Sequence, residues 1–241
     1  MVRKGLAAVG FTYRALINGL CKNRKSKEAR PSLDEMSRLG LKPDIISYTS
    51  LVHGFMREGN IGDYREGKIV EACETLDKMT RRNVSPDAFC YNSLIMGPYE
   101  AGQMEEAMRY FVRMLERGLL PNTFTYGALI CGYCISGDMH EADEYFQEML
   151  SRGLKPNDVI CTNLIDGYCK AYDVAKVFST LHSMLGSGVL PDVQTYSIAI
   201  HSPSKRGKMR EAFQIFSVLQ EKGLIPDVYA YSSLIFLVSV K

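Results

Sequence analysis

An all-α solenoid of stacked helical hairpins is the fold this sequence predicts, and three periodic features predict it. Pro43, Pro86, Pro121, Pro156, Pro191 and Pro226 fall at intervals of 43, 35, 35, 35 and 35 residues, each followed directly by Asp or Asn. Tyr13, Tyr48, Tyr91, Tyr126, Tyr196 and Tyr231 keep the same interval, with Cys161 in the slot between Tyr126 and Tyr196. Met36, Met79, Met114, Met149 and Met184 recur in step. A fixed period of this length marks an array in which each repeat buries its apolar face against its neighbours.

Each repeat reads as two helices. In the stretch Thr123–Asn157, TFTYGALICGYCISG carries apolar residues at helical spacing and ends on Gly137. DMHEADEYFQEMLSRG then opens with Asp-x-x-Glu, a capping-box pattern, and closes on Gly153. Gly40, Asn83, Gly118, Gly188 and Gly223 stand where Gly153 does, as a left-handed helix terminus demands. The proline that follows cannot continue the helix and fixes the break. Ala72, Ala107, Ala142 and Ala212 recur where two helices must approach closely, and the methionine stripe is expected in the core.

The stretches TYGALICGYCISGDMHEADEYFQEMLSRGLKPN and CYNSLIMGPYEAGQMEEAMRYFVRMLERGLLPN strongly resemble pentatricopeptide repeats of the plain 35-residue type, as in plant restorer-of-fertility-like proteins. Tetratricopeptide repeats compete poorly, because the chain has no Trp and no 34-residue period. The resemblance covers a single array over 1–241. Its repeats are Gly10–Asp44, Ile45–Asp87, Ala88–Asn122, Thr123–Asn157, Asp158–Asp192 and Val193–Asp227. Met1–Val9 fits the tail of a preceding repeat, and Val228–Lys241 the first helix of a truncated seventh. The resemblance implies a right-handed superhelical α-solenoid with a concave face built from first helices.

It also implies sequence-selective binding of single-stranded RNA, one base per repeat, in organellar transcript processing, stability or translation control. In this family the fifth and last residues of a repeat read the base edge, and the second wedges between bases. The reading residues are then Arg14 with Asp44, Thr49 with Asp87, Asn92 with Asn122, Gly127 with Asn157, Thr162 with Asp192, Ser197 with Asp227, and Ser232 in the last repeat. The family associates Thr or Ser with Asp with guanine, and Asn with Asn with a pyrimidine. Gly127 removes one reading group, and Arg14 departs from the pattern; it is expected to pair with Asp44 or a phosphate. The implied target approximates 5′-N-G-Y-N-G-G-3′, with adenine weakly favoured at the fourth base. The wedge positions hold Phe11, Ile46, Phe89, Phe124, Val159, Gln194 and Tyr229, of which Gln194 breaks the apolar pattern. Lys22, Arg57, Lys170 and Lys205 occupy the place where the family sets a phosphate-contacting cation, and Glu100 and Ile135 interrupt that row. RNA-processing proteins would be further partners, and mitochondrial or plastid placement follows from the resemblance although no transit peptide is visible. A protein- or peptide-binding scaffold, and a truncated non-functional fragment of a longer protein, are the alternative readings.

Composition excludes several other classes. The net charge of +2 gives no global attraction for nucleic acid, so any basic surface must be local. Seven cysteines in no framework spacing read as free thiols. CGYC (Cys131, Cys134) has no second pair or His to complete a zinc site, and HEADE at His140 lacks the second histidine of HExxH. No deaminase signature follows the array. The chain is therefore read as non-enzymatic, without metal, cofactor or membrane span.

Three features depart from an ideal array. Pro31, Pro98 and Pro203 fall inside helices, where a proline costs about 3 kcal/mol unless a kink absorbs it. The closing SSLIFLVSV reads as an apolar helix without a partner. The stretch REGNIGDYREGKIVEA repeats itself after eight residues, and removing Asn60–Gly67 restores a 35-residue repeat. Gly59, Gly62 and Gly67 favour a looped-out segment at the turn between two helices.

Overall fold

The computed structural model describes residues 2–59, 65–100, 103–205 and 207–239, with side chains for 9–58, 68–98, 103–205 and 207–235. Thirteen α-helices and no strands occur among the described residues. They are α1 Val2–Lys22, α2 Ser26–Arg38, α3 Ile45–Gly59, α4 Arg65–Arg81, α5 Ala88–Glu100, α6 Met104–Glu116, α7 Thr123–Ser136, α8 Met139–Ser151, α9 Asp158–Lys170, α10 Val174–Ser187, α11 Val193–Lys205, α12 Met209–Glu221 and α13 Val228–Ser239. Among the described residues no helix is long and apolar enough to cross a membrane.

The chain divides into two compact bodies, Met1–Pro121 and Asn122–Lys241, one residue before the end of the third repeat. In the first, α1 pairs with α2, α3 with α4 and α5 with α6, while α1, α3 and α5 pack in sequence as a row of first helices. The second body repeats this with hairpins α7/α8, α9/α10 and α11/α12 and the row α7, α9, α11, α13. The all-α repeat solenoid expected from the 35-residue period is the fold observed.

The periodic residues supply the core. Tyr48, Tyr91, Tyr126 and Tyr196 are fully buried on first helices, and Met79, Met114, Met149 and Met184 on second helices. Ala72, Ala107, Ala142 and Ala212 are likewise fully buried. A basic residue ahead of the helix terminator serves the tyrosine: Arg82 donates to Tyr48 OH at 3.1 Å, and the Arg152 guanidinium lies 5.9 Å from the Tyr126 ring centroid. The terminators all adopt the left-handed backbone expected of them, Asn83 included at φ 55°. Arg24 and Tyr172 do so too, at the turn where Gly137 and Gly207 stand in other repeats.

One glycine position sets how closely first helices approach. A Cβ on Gly54 of α3 would meet Ser26 Oγ of α2 at 2.4 Å and stand 2.8 Å from Cys21 Cβ and 2.9 Å from Cys21 Sγ of α1. On Gly167 of α9 it would meet Met139 Sδ at 2.5 Å. Gly54 faces the stiff base of a side chain, whereas Met139 can swing aside. Gly54→Ala is therefore expected to destabilise the first body by about 1–3 kcal/mol, and Gly167→Ala by less; urea denaturation of the two variants orders them. Equal or reversed costs would show that this spacing is not set by the α1–α3 contact.

Pro31, Pro98 and Pro203 lie inside α2, α5 and α11 as read from the sequence. Pro98 and Pro203 share one register near the helix C-terminus, so little helix remains to be disturbed. The segment Met1–Val9, read as the tail of a preceding repeat, is helical from Val2 and continuous with α1. Ala8 and Val9 stand where the other repeats have Pro–Asp or Pro–Asn, so nothing breaks the helix there. At the other end, α13 packs on α11 and α12 and buries Ala230 and Leu234, so the closing apolar helix has partners on that side.

The eight-residue insertion is not wholly looped out, which corrects the expectation for Arg65–Gly67. The second helix of this repeat starts at Arg65, one turn earlier than its counterparts Met104, Met139, Val174 and Met209, and α3 runs on to Gly59. Residues 60–64 lie outside the described residues. The physical reason is a clasp between the two copies: Glu58 Oε2 accepts from Lys68 Nζ at 2.5 Å, with both side chains 10% exposed. Glu58 Oε1 also accepts from Ser26 N–H at 2.6 Å, and Lys68 lies 5.0 Å from the Phe55 ring centroid. An added helical turn carries Lys68 to that carboxylate, which a loop of glycines would not.

Candidate nucleic-acid interface

The last residue of each repeat starts the next first helix. The carboxylate Asp44 Oδ1 accepts from Ser47 N–H at 3.0 Å and from its hydroxyl at 2.8 Å, and Asp87 Oδ1 accepts from Cys90 N–H at 2.9 Å. Asn122 Oδ1 accepts from Phe124 N–H and Thr125 N–H in a full capping box, and Asn157 Oδ1 from Ile160 N–H at 2.9 Å. Asp192 accepts both the N–H and the hydroxyl of Thr195, which holds its carboxyl below the usual carboxylate range; Asp227 accepts from Ala230 N–H at 2.8 Å. These side chains satisfy helix N-terminal donors that would otherwise lack partners. At Asp138, read as a capping box, the carboxylate accepts Glu141 N–H.

The fifth residue is brought to the last residue in several repeats. Arg14 Nη2 lies 2.7 Å from Asp44 Oδ2, so this departing pair is an ion pair. Ser197 Oγ donates to Asp227 Oδ1 at 2.8 Å. Thr162 Oγ1 lies 3.0 Å from Thr195 Oγ1, whose own proton goes to Asp192, so Thr162 donates into that chain. Thr49 Oγ1 donates to Ile45 O at 2.6 Å. In all three Thr/Ser–Asp repeats the hydroxyl proton is committed, leaving oxygen lone pairs as the polar character on offer. Ser232 is exposed and donates to Tyr229 O, while Asn92 is buried on α5.

Gly127 has a local cause. A Cβ there would stand 3.2 Å from Ile160 Cδ1 and 3.3 Å from Cγ1. Ile160 occupies a register held elsewhere by Ser47, Cys90, Thr125, Thr195 and Ala230. A side chain at Gly127 would press on Ile160, which would have to give by a few tenths of an ångström.

The wedge positions are on the surface. Phe11 is 67% exposed and Phe124 72%; Ile46, Phe89, Val159 and Tyr229 are about half exposed or more, and Gln194 is exposed. Large apolar side chains left in water once per repeat are not core packing. Lys22, Arg57, Lys170 and Lys205 are exposed too, and Lys170 pairs with Asp166 at 2.7 Å. Ile135 is exposed within that row, and the Glu100 side chain lies outside the described residues.

These sets converge. A hollow of about 400 Å³ in the first body is lined by Thr49 and Asp87, Ile46 and Phe89, and Lys22 and Arg57. One of about 330 Å³ in the second body is lined by Lys170, Lys205 and Tyr229. Sequence reading missed a residue in each: His53 in the first and His201 in the second. They share one repeat register, so the 35-residue period could have singled them out.

Other chemistry is weaker. Cys21, Cys134 and Cys169 are buried at a shared register, and burial pushes their thiols up to about 11, 12 and 12, so they stay protonated and pack as small apolar groups. His140, Glu141 and Glu144 place donor atoms within 4.8 Å of one another at the solvent-facing start of α8, where helical neighbours come together as a matter of course.

Comparison with known proteins decides the family. The pentatricopeptide repeat model matches residues 10–57, 86–135, 121–159, 156–203 and 194–224. The chain belongs to the pentatricopeptide repeat family. A pentatricopeptide repeat-containing protein of Arabidopsis thaliana is 48% identical over 44 residues, 18% of this chain and 8% of that protein. The crystal structure of the pentatricopeptide repeat protein PPR10 from maize superposes with a TM-score of 0.60 at 24% identity, covering 94% of this chain and 36% of that one. PPR10 in complex with an 18-nt psaJ RNA element gives 0.67 at 22% identity, covering 95% and 33%. The pentatricopeptide repeat domain of Arabidopsis thaliana protein-only RNase P 1, in complex with tRNA, gives 0.61 at 15% identity, covering 78% and 99%. At these identities the structural likeness establishes the fold. The chain spans about a third of PPR10 and under a tenth of the curated pentatricopeptide repeat relative.

Proposed function

We propose that this chain binds single-stranded RNA, one base per repeat, with bases held between successive wedge side chains. The row of exposed apolar residues from Phe11 to Tyr229, recurring at the repeat period, carries this reading: base–aromatic stacking needs such platforms and a folded solenoid core does not. The complexes of PPR10 and of the RNase P 1 repeat domain with RNA support it.

The hydrogen-bond directions support guanine in the repeats of Thr49/Asp87, Thr162/Asp192 and Ser197/Asp227. With each hydroxyl proton already committed, these pairs present acceptors, and the guanine edge offers the N1–H and N2–H donors to match. Asn92 and Asn122 bring amide donors as well as acceptors, which suits the mixed edge of a pyrimidine. The target is then 5′-N-G-Y-N-G-G-3′ in an organellar transcript, acted on by occluding the site or by recruiting RNA-processing proteins.

Fluorescence anisotropy with an oligonucleotide carrying UGCAGG, against a scrambled oligonucleotide, tests this. The cognate RNA is expected to bind preferentially. Four exposed cations predict affinity about 50-fold weaker when salt rises from 50 to 200 mM. Failure of both RNAs to bind at about 50 mM salt would remove the RNA reading and leave peptide scaffolding as the use of this surface.

A further inference from the structure

Two histidines stand where base readout gives way to phosphate contact. On α3, Thr49, His53 and Arg57 follow one another at intervals of four residues, so they lie along one helical face about 6 Å apart. On α11, Ser197, His201 and Lys205 do the same at identical repeat positions. In both triplets the first residue is a base-reading position and the third a phosphate position. Between the base edge and the phosphate of a nucleotide lies its ribose.

The histidines are held in one orientation. His53 Nδ1 lies 3.2 Å from Ser93 Oγ, and His201 Nδ1 lies 3.0 Å from Ser233 Oγ, the matching residue two helices on. Each ring also packs on the wedge residue of the next repeat, His53 on Phe89 at 5.5 Å and His201 on Tyr229 at 4.9 Å between centroids. The Ser93 hydroxyl donates to Phe89 O at 3.0 Å, so its oxygen accepts from His53. At His53 that places the proton on Nδ1 and leaves Nε2 as an acceptor, and His201 makes the matching contact to Ser233. Burial, and then Arg57 for His53 and Lys205 for His201, lowers both imidazole pKa values and keeps the rings neutral. A neutral imidazole is a hydrogen-bond acceptor in a strip otherwise ending in cations.

We infer that His53 and His201 accept a hydrogen bond from the ribose 2′-hydroxyl of the nucleotide read by their own repeat, so that these two repeats test the sugar as well as the base. This rests on the RNA reading above. The 2′-hydroxyl donor is the group that separates RNA from DNA at a given position. Between them the register holds Met96, Cys131 and Asp166, none of them a neutral imidazole, so the fourth nucleotide, which falls to the repeat of Cys131, serves as the control.

The experiment compares the UGCAGG oligonucleotide with versions bearing a single 2′-fluoro group, which removes the donor while keeping an RNA-like sugar. In the wild-type chain, 2′-fluoro at the second or sixth nucleotide is expected to weaken binding about three- to tenfold, and at the fourth nucleotide to leave it unchanged. In His53→Leu the penalty at the second nucleotide disappears while that at the sixth remains; His201→Leu shows the converse. Each variant thus carries its own folded control in the site it retains. Tight RNA binding that is indifferent to 2′-fluoro at all three places overturns the histidine role alone. The same holds if the penalties persist in the leucine variants. Absence of binding to the unmodified RNA overturns the RNA reading, and the histidine role with it.

Discussion

Thr49→Asn combined with Asp87→Asn is expected to move the preference at the second base from guanine to a pyrimidine, with a change in discrimination of about tenfold or more. The double change converts an acceptor-only pair into one with amide donors. Its cost to the fold should be small for two reasons. Asn caps a helix as well as Asp does, so the bond from Cys90 N–H is kept. The register of Thr49 already accepts an asparagine one repeat on, where Asn92 is buried. Asp87→Ala serves as the contrast: it removes the cap as well as the reading group, and is expected to cost about 1 kcal/mol of stability. Affinities for four oligonucleotides differing only at the second base check the switch. A guanine preference unmoved by the double substitution would show that these residues do not read it.

Glu58→Ala is expected to destabilise the first body by about 2–3 kcal/mol. It leaves the Lys68 ammonium mostly buried with Glu71 at 3.5 Å as its remaining carboxylate, and takes the acceptor from Ser26 N–H. Replacing both partners by apolar residues, Glu58→Leu with Lys68→Met, should recover most of the loss, because the penalty comes from the stranded charge. The pH dependence has a definite sign. Burial raises the Glu58 pKa, but hydrogen bonds from Lys68 and Ser26 together with the Lys68 charge outweigh it, so the folded value lies below the ordinary one. The carboxylate therefore stabilises fully above the unfolded value of about 4.3, and loses its contribution as pH falls through the lower folded value. Urea midpoints of wild type and Glu58→Gln should converge below about pH 4; a constant gap down to pH 3 would show that ionisation of Glu58 is not what holds the clasp.

Much of the fold was legible because it is written in local chemistry repeated many times. Proline followed by Asp or Asn breaks one helix and caps the next, glycine or Asn83 closes the second helix, and buried tyrosine and methionine mark the two inner faces. The exposure of the wedge positions followed from the same register. What was not legible depends on contacts far apart in sequence or peculiar to one repeat. Whether the duplicated segment loops out turns on a carboxylate in the first copy meeting a lysine in the second. Gly127 looks like a lost reading residue until Ile160 is seen to crowd its place. His53 and His201 look scattered among four histidines until Ser93 and Ser233 are set beside them. The continuity of α1 was open to view, since Ala8 and Val9 are not Pro–Asp.

On the proposed RNA reading the last residue of each repeat serves twice, which has a consequence for how such arrays change over time. Asp44, Asp87, Asn122, Asn157, Asp192 and Asp227 all cap a helix with one side-chain atom. A mutation at this position is tolerated by the fold only if the newcomer can also cap, which restricts it to Asp, Asn, Ser, Thr and, at some cost, Gly. The vocabulary in which specificity can be rewritten is thus the vocabulary of helix starts. Within it a repeat can drift from one base to another through stable intermediates, and outside it a repeat would lose its first helix before it gained a new meaning.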